Sequence, residues 1–272
     1  MLRGLDDAIA LRRALRDGSR VAIVGAGFIG LEVAASCRAR GLPVTVIESR
    51  ALPLSPALGP TVCGMVADLH LDHGVDLRTG VAVISVLGET RVTGLVLSDG
   101  SRVDTELVVV GIGVTPNTEW LEGSGLTLDA GVVCHDVGEA APGVYAAGDV
   151  ARMANGWYGG APRIERWTNA VEQVAHVAEN LLAGPQGRTR FSSVPYFWSD
   201  QYDCKIQFVG RAQPHDEVVI VDGTPTARRL TALYRRGDRL VACLSVNQPR
   251  ALIRYRTLLA GGASWNVALS AP

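Results

Sequence analysis

The sequence predicts an α/β protein, and three stretches of the chain carry this prediction. In VAIVGAGFIGLE (residues 21–32), an apolar strand is followed by a glycine-rich turn and by the start of a helix. In GVYAAGDV (residues 143–150), a short apolar run ends on a glycine and a carboxylate. From Phe191 onward, strand patterns such as IQFVG, EVVIV, LTALYR and LVACLSV indicate a separate α+β unit.

The other elements follow from hydrophobic periodicity and turn residues. The N-terminal stretch MLRGLDDAIALRRAL has the spacing of an amphipathic helix. In the first half we expect strands at 20–24 and 44–48, helices at 28–40 and 60–73, short strands within 75–97, and one buried strand over 103–111. In the second half we expect a helix near 169–182, a Gly/Pro linker in LLAGPQGRTR, and a terminal helix near 249–259.

Composition narrows the classes of protein. The 272 residues are 47% hydrophobic and 19% charged, which is the balance of a folded globular chain. A net charge of −1 gives no broad basic surface for nucleic acid or anionic lipid. No apolar run approaches the roughly 18 residues of a membrane helix, and the N-terminus lacks the apolar core of a signal peptide. We therefore expect a cytoplasmic protein with no nucleic-acid and no membrane partner.

Cysteines and histidines give no sign of a metal or redox centre. The five cysteines are far apart, without a C-x-x-C pair, and the five histidines lack metal-ligand spacing. We expect reduced, packed thiols and no bound metal.

The glycine-rich turn has the pattern G-x-G-x-x-G between a strand and a helix. In that pattern Gly25 allows the tight turn, Gly27 allows backbone to approach a pyrophosphate, and Gly30 allows close helix–strand packing. Phe28 and Ile29 complete the pattern at the helix N-terminus, whose unpaired N–H groups favour phosphate. The sequence predicts a Rossmann-like dinucleotide site here; a glycine turn that binds nothing is the alternative.

Two charged residues bear on the choice of dinucleotide. Glu48 ends the next strand, 18 residues beyond Gly30, where a carboxylate accepts hydrogen bonds from ribose hydroxyls and repels a 2′-phosphate. Arg50 lies two residues further on and would weaken this discrimination if it reached the ribose. We expect NADH to be preferred over NADPH.

Six sequence motifs resemble those of a known family. The chain resembles the flavoprotein ferredoxin reductases that serve bacterial dioxygenases and cytochromes P450, within the pyridine nucleotide-disulfide oxidoreductase fold. The matching stretches, in family order, are LRGLDDA, GAGFIGLEVAA, VVVGIGVTPN, GVYAAGDV, RIERWTNA and YFWSDQ. Similarity to glutathione reductase is partial, because its redox cysteine pair is absent.

The resemblance implies three domains. Residues 1–115 would form the Rossmann-like NAD-binding domain, 116–188 the second segment of an FAD-binding domain, and 189–272 a small α+β C-terminal domain. In the family the FAD domain is built from two chain segments, and the first precedes the motif LRGLDDA. With only the second segment present, we expect a partial FAD-binding domain, and we expect a truncated chain or a separately supplied first half.

The resemblance also implies roles for individual residues toward FAD. Asp149 would hydrogen-bond the ribityl-phosphate region, Gly148 would let backbone approach it, and the helix that follows would favour the phosphate. Trp167 would contact the isoalloxazine, or simply pack in a core. Glu165 would be a flavin-site carboxylate or a surface ion-pair partner. Arg3 would lie near FAD, or be a surface charge.

Toward the nicotinamide, the resemblance implies two contacts. Glu32 matches a glutamate that contacts the carboxamide, although a glutamate in a first helical turn is also favoured by the helix dipole. Ile112 and Gly113 match the loop beside the nicotinamide. Trp198, in YFWSDQ, matches a stretch near the face that docks the electron acceptor.

The implied activity is that of an oxidoreductase in electron transfer. A hydride passes from NADH to flavin, and single electrons then pass to a ferredoxin or rubredoxin. No residue is expected to act as a general acid or base, and Glu32 and Trp167 are the nearest candidates for a catalytic role. Two alternatives stay open: another flavin NADH oxidase or reductase of the same fold, and an inactive NAD-binding remnant.

Overall fold

The computed structural model describes residues 4–16, 18–54 and 58–271. The helices are α1 (Leu5–Ala14), α2 (Phe28–Ala39), α3 (Pro60–Asp72), α4 (Trp167–Gly187), α5 (Pro249–Ala260) and α6 (Trp265–Ser270). The strands of the first half are β1 (Val21–Val24), β2 (Val44–Glu48), β3 (Asp76–Thr79), β4 (Val83–Leu87), β5 (Gly94–Leu97), β6 (Arg102–Asp104) and β7 (Leu107–Val110). Those of the second half are β8 (Val132–Cys134), β9 (Glu139–Ala141), β10 (Val144–Tyr145), β11 (Ala151–Met153), β12 (Tyr196–Gln201), β13 (Cys204–Gly210), β14 (Glu217–Thr224), β15 (Arg229–Arg236) and β16 (Arg239–Val246).

A four-stranded parallel sheet of order β3-β2-β1-β7 organises the first half. Strand β1 pairs with both neighbours, with Val21 opposite Val44 on one side and Leu107 on the other. Helix α2 connects β1 to β2, so the apolar strand, glycine turn and helix form the expected Rossmann-like unit. The predicted α/β class is confirmed.

The single strand expected over 103–111 is wrong. The stretch is divided between β6, which pairs antiparallel with β5 in a three-stranded sheet, and β7, which pairs parallel with β1. Buried Thr105 lies at the division, and its hydroxyl reaches the carbonyl oxygens of Arg20 at 2.9 Å and Leu107 at 2.8 Å. The Thr105 side chain therefore links the segment between β6 and β7 to the residue that precedes β1.

The middle of the chain contains only short strands. Strands β8 and β11 form one parallel pair, and β9 and β10 form one antiparallel pair. Helix α4 packs beside them; it starts at Trp167, two residues before the expected start, and its regular part reaches LLAGPQG, where the linker was expected. Gly184, at φ 66° and ψ 176°, breaks the helix there.

The C-terminal unit is a five-stranded antiparallel sheet of order β12-β13-β16-β15-β14. One face packs against α5 and α6, and the other belongs to the same apolar core as α2 and α3. The Tyr234 hydroxyl donates to the Leu58 carbonyl oxygen at 2.9 Å across this contact. The C-terminal sheet therefore shares one apolar core with the helices that flank the parallel sheet.

The expected packing of the thiols is confirmed. All five cysteines are buried and none is in a disulfide. Burial raises the pKa of Cys63 to about 11, which keeps this thiol protonated at neutral pH. None of the helices in the described ranges is long and apolar enough to cross a bilayer.

Candidate functional site

The glycine-rich turn lies at the carboxyl end of β1, and two of its glycines are fixed by close backbone packing. Gly25 adopts φ 101°, and a Cβ atom added there would lie 2.3 Å from the Gly111 carbonyl oxygen. A Cβ atom added at Gly30 would lie 2.1 Å from the Gly25 carbonyl oxygen. Neither position accommodates a side chain, so the turn can be this tight only with glycine.

Gly27 differs because a Cβ atom added there meets nothing within 4 Å. Gly27 is the N-cap of α2, and no side chain of the described residues caps this helix end. The first N–H groups of α2 are therefore able to donate hydrogen bonds to an anion. Ile29 is 64% exposed beside this opening, whereas the Phe28 ring packs edge-on against Phe197 at 4.8 Å.

Glu48 is buried and joined to the turn. Its Oε2 accepts the Ala26 N–H at 2.9 Å, and its Oε1 accepts the Arg50 N–H at 3.0 Å. Oε1 also accepts the Ser49 hydroxyl at 3.3 Å, so the remaining lone pair is on Oε2, where a ribose hydroxyl can still be bound. The Arg50 guanidinium donates to the Leu54 carbonyl oxygen at 3.2 Å, so the contact of Arg50 with Glu48 runs through its backbone.

The residues expected near the nicotinamide lie in the loop after β7 and in α2. Ile112, 75% exposed, and Gly113, at φ 116°, follow β7 directly beside the glycine turn. Glu32 lies in the second turn of α2, half-buried, and its Oε1 accepts the Ser199 hydroxyl at 2.6 Å. The carboxyl ends of neighbouring parallel strands are where open α/β sheets bind ligands.

The residues assigned to FAD lie around a turn in the middle segment. Asp149 is exposed within the one-turn 3₁₀ helix Gly148–Val150, and β11 begins at the next residue. The expectation that a helix follows Asp149 is therefore wrong. The helix beside this turn is α4, whose Gln173 side chain accepts the Gly148 N–H at 2.8 Å. Arg3 lies outside the described residues.

An arginine pair accompanies Asp149. Arg163 forms an ion pair with Glu165 and donates to the Asp149 carbonyl oxygen at 3.4 Å. The Arg166 guanidinium lies 4.2 Å from the centre of the Phe197 ring. Burial lowers the pKa of Arg166, while the carboxylates of Glu165 and Asp149 oppose this shift. Glu165 is thus an ion-pair partner within a charged cluster.

One cavity of about 290 Å³ lies between the start of α2 and the charged cluster. Phe28 of the glycine turn lines it together with Arg163, Glu165, Arg166 and Phe197. Cationic groups beside aromatic rings suit a ligand with phosphates and a flat ring. The sequence analysis missed both arginines and Phe197, although RIERWTNA flanks its glutamate with arginines. Within the described ranges no group of His, Cys, Asp or Glu could hold a metal.

Trp167 and Trp198 form an exposed aromatic surface. Trp167, at the first position of α4, is 71% exposed and meets the Trp198 ring edge-on at 6.1 Å. Trp198, 41% exposed, stacks on Tyr196 at 5.9 Å. Trp167 is therefore not packed in a core.

Family models match both halves of the chain. The model described as pyridine nucleotide-disulphide oxidoreductase matches residues 1–174, and the model described as reductase C-terminal matches residues 196–271. Among curated proteins, putidaredoxin reductase CamA of Pseudomonas putida is 36% identical over 252 residues, which is 91% of this chain and 59% of the relative. The ferredoxin–NAD(+) reductase component of a p-cumate 2,3-dioxygenase system, also from P. putida, is 39% identical over 92% of this chain and 60% of the relative.

Solved structures of ferredoxin reductases are also similar to this chain. The covalent putidaredoxin reductase–putidaredoxin complex matches with a TM-score of 0.91 and 33% identity over 98% of this chain and 64% of that chain. A ferredoxin reductase for the CYP199A2 system of Rhodopseudomonas palustris matches with a TM-score of 0.91 and 36% identity, over 96% and 64%. The chain spans 59% to 64% of the length of the curated relatives it matches.

The resemblance drawn from the six sequence motifs is confirmed, and the matched region includes the glycine turn, Glu48 and the Asp149 turn. The chain belongs to the pyridine nucleotide-disulphide oxidoreductase family.

Proposed function

We propose that this chain carries the NADH site and the acceptor-facing domain of an FAD-dependent NADH:ferredoxin reductase. The observation that carries the proposal is the N-terminus of α2, which no described side chain caps, beside buried Glu48. The first residue of this helix, Phe28, lines one cavity together with Arg163, Glu165 and Arg166. The named relatives are reductases of ferredoxin-type partners, which supports the same acceptor class, a ferredoxin or rubredoxin, here. The reductase C-terminal match favours this activity over an NADH oxidase of the same fold.

The proposed division of labour follows the three segments. Residues 1–115 bind NADH, 116–188 contribute the second part of the FAD site, and 189–272 face the electron acceptor. FAD held by these segments would supply the chemistry that links two-electron oxidation of NADH to one-electron reduction of an iron–sulfur protein. The residues present fit one side of such a cofactor, because a charged cluster and an exposed aromatic surface flank the Gly148–Val150 turn.

In the proposed NADH site the chain binds and orients, and moves no proton. The N–H groups at the start of α2, beside Gly27, bind the pyrophosphate. Glu48 accepts hydrogen bonds from the adenosine ribose. Glu32, Ile112 and Gly113 hold the nicotinamide end.

In the proposed FAD site, Asp149 accepts hydrogen bonds from the ribityl chain. Gly148 brings backbone close to it, and Trp167 covers part of the ring system. Arg163 and Arg166 add positive charge for phosphate, while Glu165 keeps Arg163 in place through its ion pair. Trp198 lies on the C-terminal domain beside Trp167 and faces the acceptor.

A two-part experiment tests this function. The 272-residue polypeptide should bind NADH in a calorimetric titration, because its βαβ unit is complete. Alone it should not retain FAD through dialysis, since Asp149 is exposed and its neighbouring strands are short. Co-expression with the N-terminal FAD-binding segment of putidaredoxin reductase should give a yellow complex that reduces ferricyanide with NADH. Failure to bind NADH contradicts the proposed nucleotide site, and a lone chain that stays yellow and turns over contradicts the proposed division of the FAD site between two segments.

Glu48 gives a second test, of dinucleotide choice. Replacing Glu48 with alanine should weaken NADH binding roughly tenfold, because a charged acceptor for the ribose is lost. It should also reduce the difference in affinity between NADH and NADPH, because the carboxylate no longer repels the 2′-phosphate. The matched variant Glu48→Gln removes the charge and keeps one oxygen, which can accept the Ala26 or the Arg50 N–H. It should therefore reduce the preference for NADH over NADPH with less loss of stability than Glu48→Ala. Fluorescence titrations with both nucleotides measure the effect. A parent chain that already prefers NADPH would show the role of Glu48 to be wrong.

A further inference from the structure

A chain of hydrogen bonds connects the C-terminal domain to Glu32. The Tyr202 hydroxyl lies 3.2 Å from His70 Nδ1, and His70 Nε2 lies 2.9 Å from Gln201 Oε1. Gln201 Nε2 donates to the Ser199 hydroxyl at 3.0 Å, and Ser199 donates to Glu32 at 2.6 Å. The three inner side chains, of His70, Gln201 and Ser199, are each 0% exposed.

The direction of every bond follows from the carboxylate at the end. An ionised carboxylate only accepts, so Ser199 must donate to Glu32 and accept from the Gln201 amide. The Gln201 oxygen then accepts from His70 Nε2–H, which leaves His70 Nδ1 to accept from Tyr202. Burial lowers the pKa of His70 and raises that of Tyr202 to about 12, so the imidazole is neutral and the phenol protonated, as this order requires. Hydrogen bonds that all donate in the same direction polarise one another, and each bond is strengthened.

Buried polar groups need partners, and here the partners come from different elements: His70 belongs to α3, whereas Gln201 and Ser199 belong to β12. The series of hydrogen bonds ends on a third element, α2, at Glu32, which is the residue proposed to contact the nicotinamide. Oε1 of Glu32 is engaged by Ser199, and within the described ranges Oε2 has no hydrogen-bond partner. Side chains alternate along β12, with Trp198 exposed and Ser199 buried, so one strand carries both the aromatic surface and the donor to Glu32.

We propose that Ser199 is a positioning residue that holds the Glu32 carboxylate for the nicotinamide carboxamide of NADH, and that Gln201 and His70 hold Ser199 in turn. This inference rests on the proposed NADH site. Its consequence is specific: the C-terminal domain contributes to binding of the nicotinamide half of the dinucleotide and has no part in binding the ADP half.

The test compares two ligands on the full 272-residue chain. ADP-ribose contains the adenosine and pyrophosphate of NADH and lacks the nicotinamide. In calorimetric titrations, Ser199→Ala should weaken NADH binding roughly fivefold, as expected for loss of a donor to a charged group, and leave ADP-ribose binding unchanged. Ser199→Thr, which keeps the hydroxyl, should restore NADH binding. Gln201→Leu should act in the same direction as Ser199→Ala, because it removes the donor to Ser199.

Ser245→Ala is the matched control. Ser245 is also 0% exposed in the same sheet, and its hydroxyl donates to the Gln248 carbonyl oxygen at 2.8 Å, away from Glu32. It should change thermal stability as Ser199→Ala does and leave binding of both ligands unchanged. Equal weakening of NADH and ADP-ribose in Ser199→Ala, or no weakening of either, overturns the positioning role. A parent chain that binds neither ligand overturns the proposed nucleotide site, and this inference with it.

Discussion

Replacing Gly25 with alanine is expected to lower the free energy of unfolding by about 3 kcal/mol and to abolish NADH binding. Two costs add at this position. A non-glycine residue at φ 101° is strained, and its Cβ atom would lie 2.3 Å from the backbone oxygen of Gly111. Gly25 and Gly111 directly follow the paired strands β1 and β7, and each donates its N–H to a neighbouring strand at 2.8 Å, so neither backbone segment can shift cheaply. Urea denaturation followed by circular dichroism measures the stability, and an NADH titration measures binding.

Gly27→Ala is the control for this prediction. The added methyl group meets nothing within 4 Å, so the free energy of unfolding should stay within about 0.5 kcal/mol of the parent value. NADH binding should still weaken, by roughly tenfold, because the methyl group occupies space beside the N–H groups that receive the pyrophosphate. If both variants lose the same stability, the strain at Gly25 is not what fixes the turn. If Gly27→Ala binds NADH like the parent, the pyrophosphate does not lie there.

The glycine turn could be predicted from sequence because every determinant of it is local. The strand–turn–helix order, the three glycines and the spacing to Glu48 lie within 28 consecutive residues, 21–48. The division between β6 and β7 could not be predicted in the same way. It depends on the Thr105 hydroxyl meeting the Arg20 carbonyl oxygen, 85 residues away in the chain.

The rest of the candidate site depends on packing between segments that are distant in sequence. Arg166 and Phe28 meet the same cavity only because β12 places Phe197 between them. The bond from Ser199 to Glu32 spans 167 residues, and no spacing rule predicts it. The expected helix after Asp149 failed for a related reason: the helix that packs on this turn, α4, begins 18 residues later, at Trp167.

The middle segment is expected to be the least stable part of the folded chain. In the isolated polypeptide, amide hydrogens of residues 145–150 should exchange at least about 100-fold faster than those of β1. Strand β1 is bonded to strands on both sides, and its first three residues are at most 1% exposed. Strand β10 is only two residues long, pairs with β9 alone among the described strands, and has an irregular register.

Hydrogen exchange read by mass spectrometry tests this, with peptides from β16 as an internal reference. Strand β16 is central in its five-stranded sheet, so it should exchange as slowly as β1. Unpaired strand edges also favour self-association, so the same preparation should show concentration-dependent oligomers. Co-expression with an FAD-binding segment, in the presence of FAD, should slow exchange around Gly148–Val150 and leave β1 unchanged, because only the middle segment gains partners. Equal protection of residues 145–150 and of β1 in a flavin-free monomer would contradict this prediction. It would mean that the short strands around Asp149 are stable without a second FAD-binding segment.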